Sequence, residues 1–561
     1  MRSQVTCLSV WGALLAAGCY PPGDGAEPPL DRIYFPVGVA VSPDQSQLLV
    51  VNSDFDLQFN AGSFQVFDLT RLRELARETH DAEGCGALGE RSVADRALTP
   101  GRCRAVSPTS PPGGGTLLQE SISIGAFATD ILLRERFDDG DDPATPEREL
   151  TGCQASVGAE QGDCAEGVCR PWVAVDASEP GVSYRGYCAV PRGFRVFIPV
   201  RGDATLHFID SQGGDYDCGQ RGASGACDDN HRRGDDPQQE NTRGLRMPPE
   251  PYGIAASADS EAIVVSHQSE GRASLFVNSW VSGPRLEFVV DGLPSGAVGV
   301  AASPEPLGAQ LSGSRRPSFL MSFRNSPSIE LLRYFDDTES SVPRPFLNRS
   351  GSVPITINSL SFDSRGIGVD ATRRQQCEAR CVAAASGVSR EALEEQLGCL
   401  EDCVTDVSLD VYVANRSPAS LLRGQTREDG SELPLFYDSL VLSPGPSRVV
   451  QGEVLARCSP TQAAEDPCRR REARLFVLCF DSRKLYVVQP TTGRVESVIQ
   501  TGRGPHAFAT DVSTAGASHA LGYLAHFTDS YIGVLDLDQG SPSYGTFIAN
   551  LGTPTPPRAS K

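Results

Sequence analysis

The sequence predicts an all-β protein: a seven-bladed β-propeller with disulfide-stapled insertions, one of them a short helical hairpin. Three observations carry this expectation. The 561 residues include 56 Gly and 41 Pro but only 22 % charged residues, a balance that suits turns and short strands better than long helices. A unit of four short apolar runs separated by polar turns recurs along the chain. Fourteen of the 17 Cys fall between these runs, in long polar inserts, and in even numbers. The net charge of −21 leaves no basic footprint, which excludes DNA, RNA or an anionic membrane surface as the main partner.

The first element is an export signal. Val5 to Ala17 is an apolar run too short to span a bilayer and suited to a signal-peptide core. It ends in Leu15-Ala16-Ala17-Gly18-Cys19, which resembles the bacterial lipobox. This reading makes residues 1–18 a lipoprotein signal peptide and Cys19 the lipidation site, with an ordinary secretory signal as the alternative. Residues 19–31, rich in Pro and Gly, form a flexible tether. The body is then anchored by lipid in the bacterial cell envelope, on the periplasmic side or the cell surface.

The repeat occupies residues 32–552, and residues 553–561 are a disordered tail. Its clearest copy runs from Gly504-Pro505-His506-Ala507 through Tyr523-Leu524-Ala525-His526 and Ile532-Gly533-Val534-Leu535 to Phe547-Ile548-Ala549. The same order follows Pro446, Pro251 and Pro36, where Pro36-Val37-Gly38 and Pro251-Tyr252-Gly253 share a Pro-x-Gly opening. Weaker copies begin at Gly125, Val298 and Ile355, the last with its first strand placed over residues 355–362. These openers and strands resemble bacterial seven-bladed propellers of the YVTN and lactonase-like repeat group. The resemblance implies the fold; a lactonase-like activity is an analogy from the fold alone. Two β-sandwich domains are the rival architecture.

The strands of a blade run from the axis outward, and connections between the first and second and between the third and fourth strands share one face. Inserts at about 71–115, 134–193, 211–241, 372–407 and 453–474 are all expected on that face. They hold Cys85 and Cys103; Cys153, Cys164, Cys169 and Cys188; Cys218 and Cys227; Cys377, Cys381, Cys399 and Cys403; and Cys458 and Cys468. Local disulfides follow, with the connectivity inside 153–188 left open. In the fourth insert each Cys pair sits at i and i+4 on one face of a helix. A helical hairpin bridged Cys377–Cys403 and Cys381–Cys399 is expected, with a four-thiolate zinc site as the rival. Export into an oxidising compartment favours the disulfides. Cys479, inside an apolar strand, is left as a free buried thiol.

The face with short turns collects polar residues at strand ends: Asn52, Arg201, Asp203, His267, Arg324, Asn415, Asp481, Arg483, His506, His526 and Asp529. They form the candidate binding face. His267, His506 and His526 with Asp529 suit a divalent metal near the axis, and Asp138 to Asp142 or Asp228-Asp229 suit calcium; the plain alternative is polar residues ending strands at turns and solvated acidic loops. No catalytic motif is present. The expected function is a binding or scaffold module for an envelope protein, glycan or wall component. The alternative is a periplasmic lactonase- or hydrolase-like enzyme with a metal near the axis.

Overall fold

In the computed structural model the described residues are 26–82, 103–138, 168–176, 181–222, 225–236, 243–304, 316–337, 340–355, 362–384, 398–404, 406–426, 432–457, 470–514 and 518–555. They form seven antiparallel sheets around one axis. From the axis outward, blade one comprises Pro36–Val41, Gln47–Asn52, Gly62–Asp68 and Leu118–Ile124, and blade two Leu132–Asp138, Gly181–Val200, Thr205–Gln212 and Asp215–Asp217. Blade three comprises Pro251–Ala256, Ala262–His267, Ala273–Ser279 and Gly283–Val290, and blade four Ala297–Ser303, Ser318–Phe323, Ser328–Phe335 and Phe346–Pro354. Blade five comprises Phe362–Asp370, Asp410–Ser417, Ala419–Thr426 and Pro434–Val441. Blade six comprises Pro446–Leu455, Arg471–Cys479, Lys484–Val488 and Val495–Gln500, and blade seven Pro505–Ser513, His519–His526, Tyr531–Asp536 and Phe547–Leu551.

Blades face blades, so the middle strands are apolar on both sides and read as continuous runs such as Leu48-Leu49-Val50-Val51. Alternate residues serve opposite neighbours. Leu48 and Val50 join a cluster shared with blade seven, while Leu49 and Val51 join one shared with blade two. Seven such clusters, one per interface, close the ring.

The recurring opener now has a physical meaning. Six of the seven innermost strands carry a register shift at their first residues, at Pro36/Gly38, Pro251/Ile254, Ala297/Gly299, Ser364/Gly366, Pro446/Arg448 and Pro505/Ala507. Proline suits a strand's first residue because no ladder donor is needed there. Glycine follows because inner strands converge. A Cβ on Gly38 would lie 2.8 Å from Ile131 of the next blade, and one on Gly366 would lie 2.7 Å from the Arg448 Cα and 3.0 Å from the Ser447 carbonyl oxygen. Gly366→Ala is therefore expected to cost about 1–3 kcal/mol in urea unfolding, because backbone cannot step aside. Gly222→Ala, with nothing within 4 Å, should be within a few tenths of wild type.

Each blade is one continuous stretch of chain, so no terminal strand is exchanged to lock the ring. The lock comes instead from the first insert. Its helix α1, Leu69–Ala82, places Leu69, Leu72, Leu75 and Ala76 in the core between blades one and seven. Its strand Ala105–Val106 then adds a parallel fifth strand to the outer edge of blade seven. Arg73 of α1 reaches Asp511 in the innermost strand of blade seven through Nε at 2.7 Å and Nη2 at 2.9 Å.

Two details differ from the sequence expectation. The first strand of blade five is Phe362–Asp370, and Ile355 packs at the end of blade four, with its N–H on the Pro327 carbonyl. The third insert does not share the face of the others. Asp215–Asp217 and Arg232–Arg233 pair with opposite ends of Thr205–Gln212, so residues 218–231 interrupt the outermost strand and hang from the rim. There Ala226 bridges Ser123 of blade one. The disulfides Cys218–Cys227, Cys377–Cys403 and Cys381–Cys399 are present as expected. Thr372–Ala384 and residues 398–404 form the stapled hairpin around buried Leu400. Cys103 is disulfide-bonded, and its expected partner Cys85 lies outside the described residues. Cys169 and Cys188 are backbone register partners across a hairpin in the second insert. Cys153, Cys164, Cys458 and Cys468, like Cys19 and the signal, lie outside the described residues. Cys479 is free and buried, and burial pushes its thiol up to about 12, which makes it inert.

Candidate functional site

The second residue of each opener turns toward the axis on the short-turn face. Val37, Thr129, Tyr252, Val298, Arg365, Ser447 and His506 line a cavity of 470 Å³ there, a size suited to a small ligand or a single protruding group. The third opener position is Gly, Gly, Gly and Gly in blades one, three, four and five but Arg448 in blade six. Asp130 takes the equivalent place in blade two. These blades stand on opposite sides of the ring, and the two side chains meet across it: Arg448 Nη1 donates to Asp130 Oδ1 at 2.7 Å and Nη2 to the Thr129 carbonyl at 3.2 Å. The pair bolts the axis and makes the cavity's floor.

The lining combines two chemistries. Arginines come from three blades: Arg201 from blade two, Arg365 and Arg416 from blade five and Arg448 from blade six, with Asp130 and Asp481 as the acidic lining residues. Each has a carboxylate in reach: Arg201 pairs with Glu250 at 2.7 Å, Arg365 with Asp363 through two nitrogens, and Arg416 more loosely with Asp481 at 3.5 Å, while Arg324 also approaches Asp363 at 3.6 Å. Burial, then the adjoining Arg365 charge, depresses the Arg324 guanidinium. Guanidinium groups are thus concentrated at the mouth of a chain of net charge −21, and Arg416 and Arg324 hold their carboxylates least closely.

Phe55, Phe127, Phe480 and Phe527 also line the cavity, with Phe527 5.1 Å from Phe55 and 6.2 Å from Phe480. His506 adjoins this cluster, 5.7 Å from Phe527. Burial and then the Arg448 charge push its imidazole down to about 3, so it is neutral at pH 7. Its Nδ1 sits 3.0 Å from the Val37 carbonyl, which can only accept. Nδ1 therefore carries the proton, and Nε2 keeps a lone pair for a ligand's donor.

Of the residues singled out from sequence, Arg201, Asp481 and His506 line this cavity, and Arg324 adjoins it through Asp363. Others are held inside the blades. Asn52 accepts from the Tyr34 N–H and donates to Ser63 and Gln65. His267 bridges the Pro249 carbonyl and Ser274 Oγ, and Asn415 bridges Ser364 Oγ and the Pro418 carbonyl. His526 is fully buried and stacked on Tyr531 at 4.1 Å. Asp203 accepts from Thr205, Asp529 binds Arg503, and Arg483 forms a turn with φ of 55°.

Thus the structure does not bring His267, His506, His526 and Asp529 together, each having a separate setting. Asp228 is occupied as a local cap for the N–H groups of Asn230 and His231, which leaves it no arrangement for calcium. Asp138 ends a strand, and residues 139–142 lie outside the described residues. Sulfurs of Cys377, Cys381 and Cys403 lie within 4.8 Å of one another, but all three are in disulfides.

Sequence reasoning passed over Asp130, Arg365, Arg448 and the phenylalanines. A signal for two of them was present. Aligning the openers exposes Arg448 and Asp130 as the charged exceptions at a position otherwise small, where convergence of the inner strands leaves no room for a chain that does not point along the axis.

No protein-family model matches the sequence, and comparison with curated proteins finds no match. Among solved structures, a candidate 6-phosphogluconolactonase from Bacteroides uniformis is 10% identical, covering 83% of this chain and 86% of its own, with a TM-score of 0.39. Hydrazine synthase of Kuenenia stuttgartiensis is 10% identical, covering 92% of this chain and 99% of its own, also at 0.39. The periplasmic gluconolactonase of Pseudomonas aeruginosa is 11% identical, covering 73% and 86%, at 0.29.

Proposed function

We propose that this chain is a lipid-anchored envelope protein that binds an anionic group through the axial cavity, the group being displayed by an envelope protein, glycan or wall component. The reading is supported by the gathering of four arginines and four phenylalanines around one cavity. Guanidinium groups recognise carboxylate or phosphate oxygens by paired hydrogen bonds, and the ring faces accept a flat or apolar portion of the same ligand. The anchor rests on the Leu15 to Cys19 motif and agrees with the disulfides, which persist in oxidising compartments.

Thermal stability in the presence of small probes tests the cavity. Benzoate and glucuronate are expected to raise the Tm, whereas benzyl alcohol and glucose at equal concentration should leave it unchanged. Equal shifts from charged and neutral members would remove the basis for the reading.

A further inference from the structure

The start of the described chain is tied to blade one. The Ala26 carbonyl accepts from the Asn60 N–H at 3.0 Å, and Gln65 Nε2 holds the carbonyls of Leu30 and Arg32 at 3.0 and 3.2 Å. Asn60 belongs to residues 53–61, the loop between the second and third strands of blade one, on the short-turn face. Ala26, the first described residue, is therefore held on the face that contains the cavity. The same loop exposes two large apolar side chains, Phe55 at 53% and Leu57 at 67%.

The distances restrict how the body can sit. Six residues lie between Cys19 and Ala26, and the seven steps from one to the other span at most about 25 Å when fully extended. A folded unit of this size has a radius of gyration near 24 Å and a larger outer radius. A tether this short, fixed to one face, cannot bring the opposite face to the anchoring surface. We propose that the mouth face is apposed to the lipid bilayer, with Phe55 and Leu57 seated in its interface. This rests on the anchor at Cys19 proposed above and goes beyond it by assigning the contact surface. The contact is apolar, so the net charge of −21 does not oppose it on zwitterionic lipid. The disulfide-stapled hairpin, on the opposite face, then points away from the membrane, and the cavity opens toward groups held near the lipid surface.

Fluorescence quenching in vesicles tests this. The full chain, purified with its native amino terminus, is reconstituted in phosphatidylcholine vesicles with brominated acyl chains. Phe55→Trp should add emission quenched at least twofold by the bromines. Val281→Trp, in the turn between the third and fourth strands of blade three and 87% exposed, should add emission that is not quenched. Flotation with vesicles, acylated Cys19 by mass, and unquenched emission from Phe55→Trp would overturn the orientation while leaving the anchor intact. So would quenching of Val281→Trp alone, or shielding of Phe55→Trp in a doubled-mass species without lipid. An unmodified Cys19 with no flotation would overturn both, and the mass separates the two failures.

Discussion

Replacing Asp511 by alanine is expected to cost about 3–5 kcal/mol of stability, the largest effect of any single substitution considered for this fold. The Asp511 carboxylate is fully buried and accepts from Arg73 twice, from His519 Nε2 at 3.0 Å and from Tyr523 Oη at 3.2 Å. Burial alone would raise its pKa, but the His519 hydrogen bond and Arg73 outweigh it and hold the group below the ordinary carboxylate value. Alanine leaves the Arg73 guanidinium, only 13% exposed, without its counter-ion and inside the closure between blades one and seven. The structure makes that closure depend on the first insert, because no strand is exchanged there. Urea unfolding of Asp511→Ala should thus show a large drop in midpoint. A companion change, Arg71→Ala, breaks the exposed pair with Glu74 and one hydrogen bond to the Pro112 carbonyl and should cost far less. Equal costs for the two would show that the helix does not secure the ring.

Acidification from pH 7 to 4 is expected to remove on the order of 3 kcal/mol for each of two buried histidines. Burial holds His526 down to about 3 and His267 to about 4. Above pH 6.5 both folded and unfolded rings are neutral and neither contributes. As pH falls below 6.5 the unfolded ring takes up a proton that the folded ring refuses, so stability declines until the folded value is reached. Against a total of about 5–15 kcal/mol this is a large share. The two ring nitrogens of His526 are buried without hydrogen-bond partners, and its ring lies 9° from parallel with Tyr531. His526→Phe keeps an aromatic ring and removes the titration. It should match or exceed wild type at pH 7 and lose about 2–3 kcal/mol less on going to pH 4.5. Identical losses in the two proteins would show that His526 is not the group responsible.

The parts of the molecule dictated by local pattern were legible in the sequence, and the parts dictated by closure were not. Apolar runs such as Leu475 to Cys479 and Ile263 to Val265 announce their strands because both faces of a blade are covered. The i and i+4 cysteines specify the helical hairpin through helix geometry, and the expected export selects disulfides over a thiolate metal site. By contrast, the interruption of the outer strand at residues 218–231 depends on Ala226 finding Ser123 in the neighbouring blade, a contact no local pattern encodes. The histidines ending second strands were legible as positions but not as roles. His267 turns inward because the Pro249 carbonyl and Ser274 need a partner, whereas His506, at an opener, turns to the axis. Arg448 and Asp130 lie 318 residues apart and meet only when the ring is complete.

Selection of an anion by the arginines of the axial cavity is tested most directly by calorimetric titration of benzoate into the full chain. A single saturable site is expected, with an affinity that falls at least tenfold in Arg365→Ala/Arg416→Ala, since each charged hydrogen bond contributes about 1.5 kcal/mol or more. Benzoate binding that is unchanged in the double variant, or matched by benzyl alcohol, would contradict it.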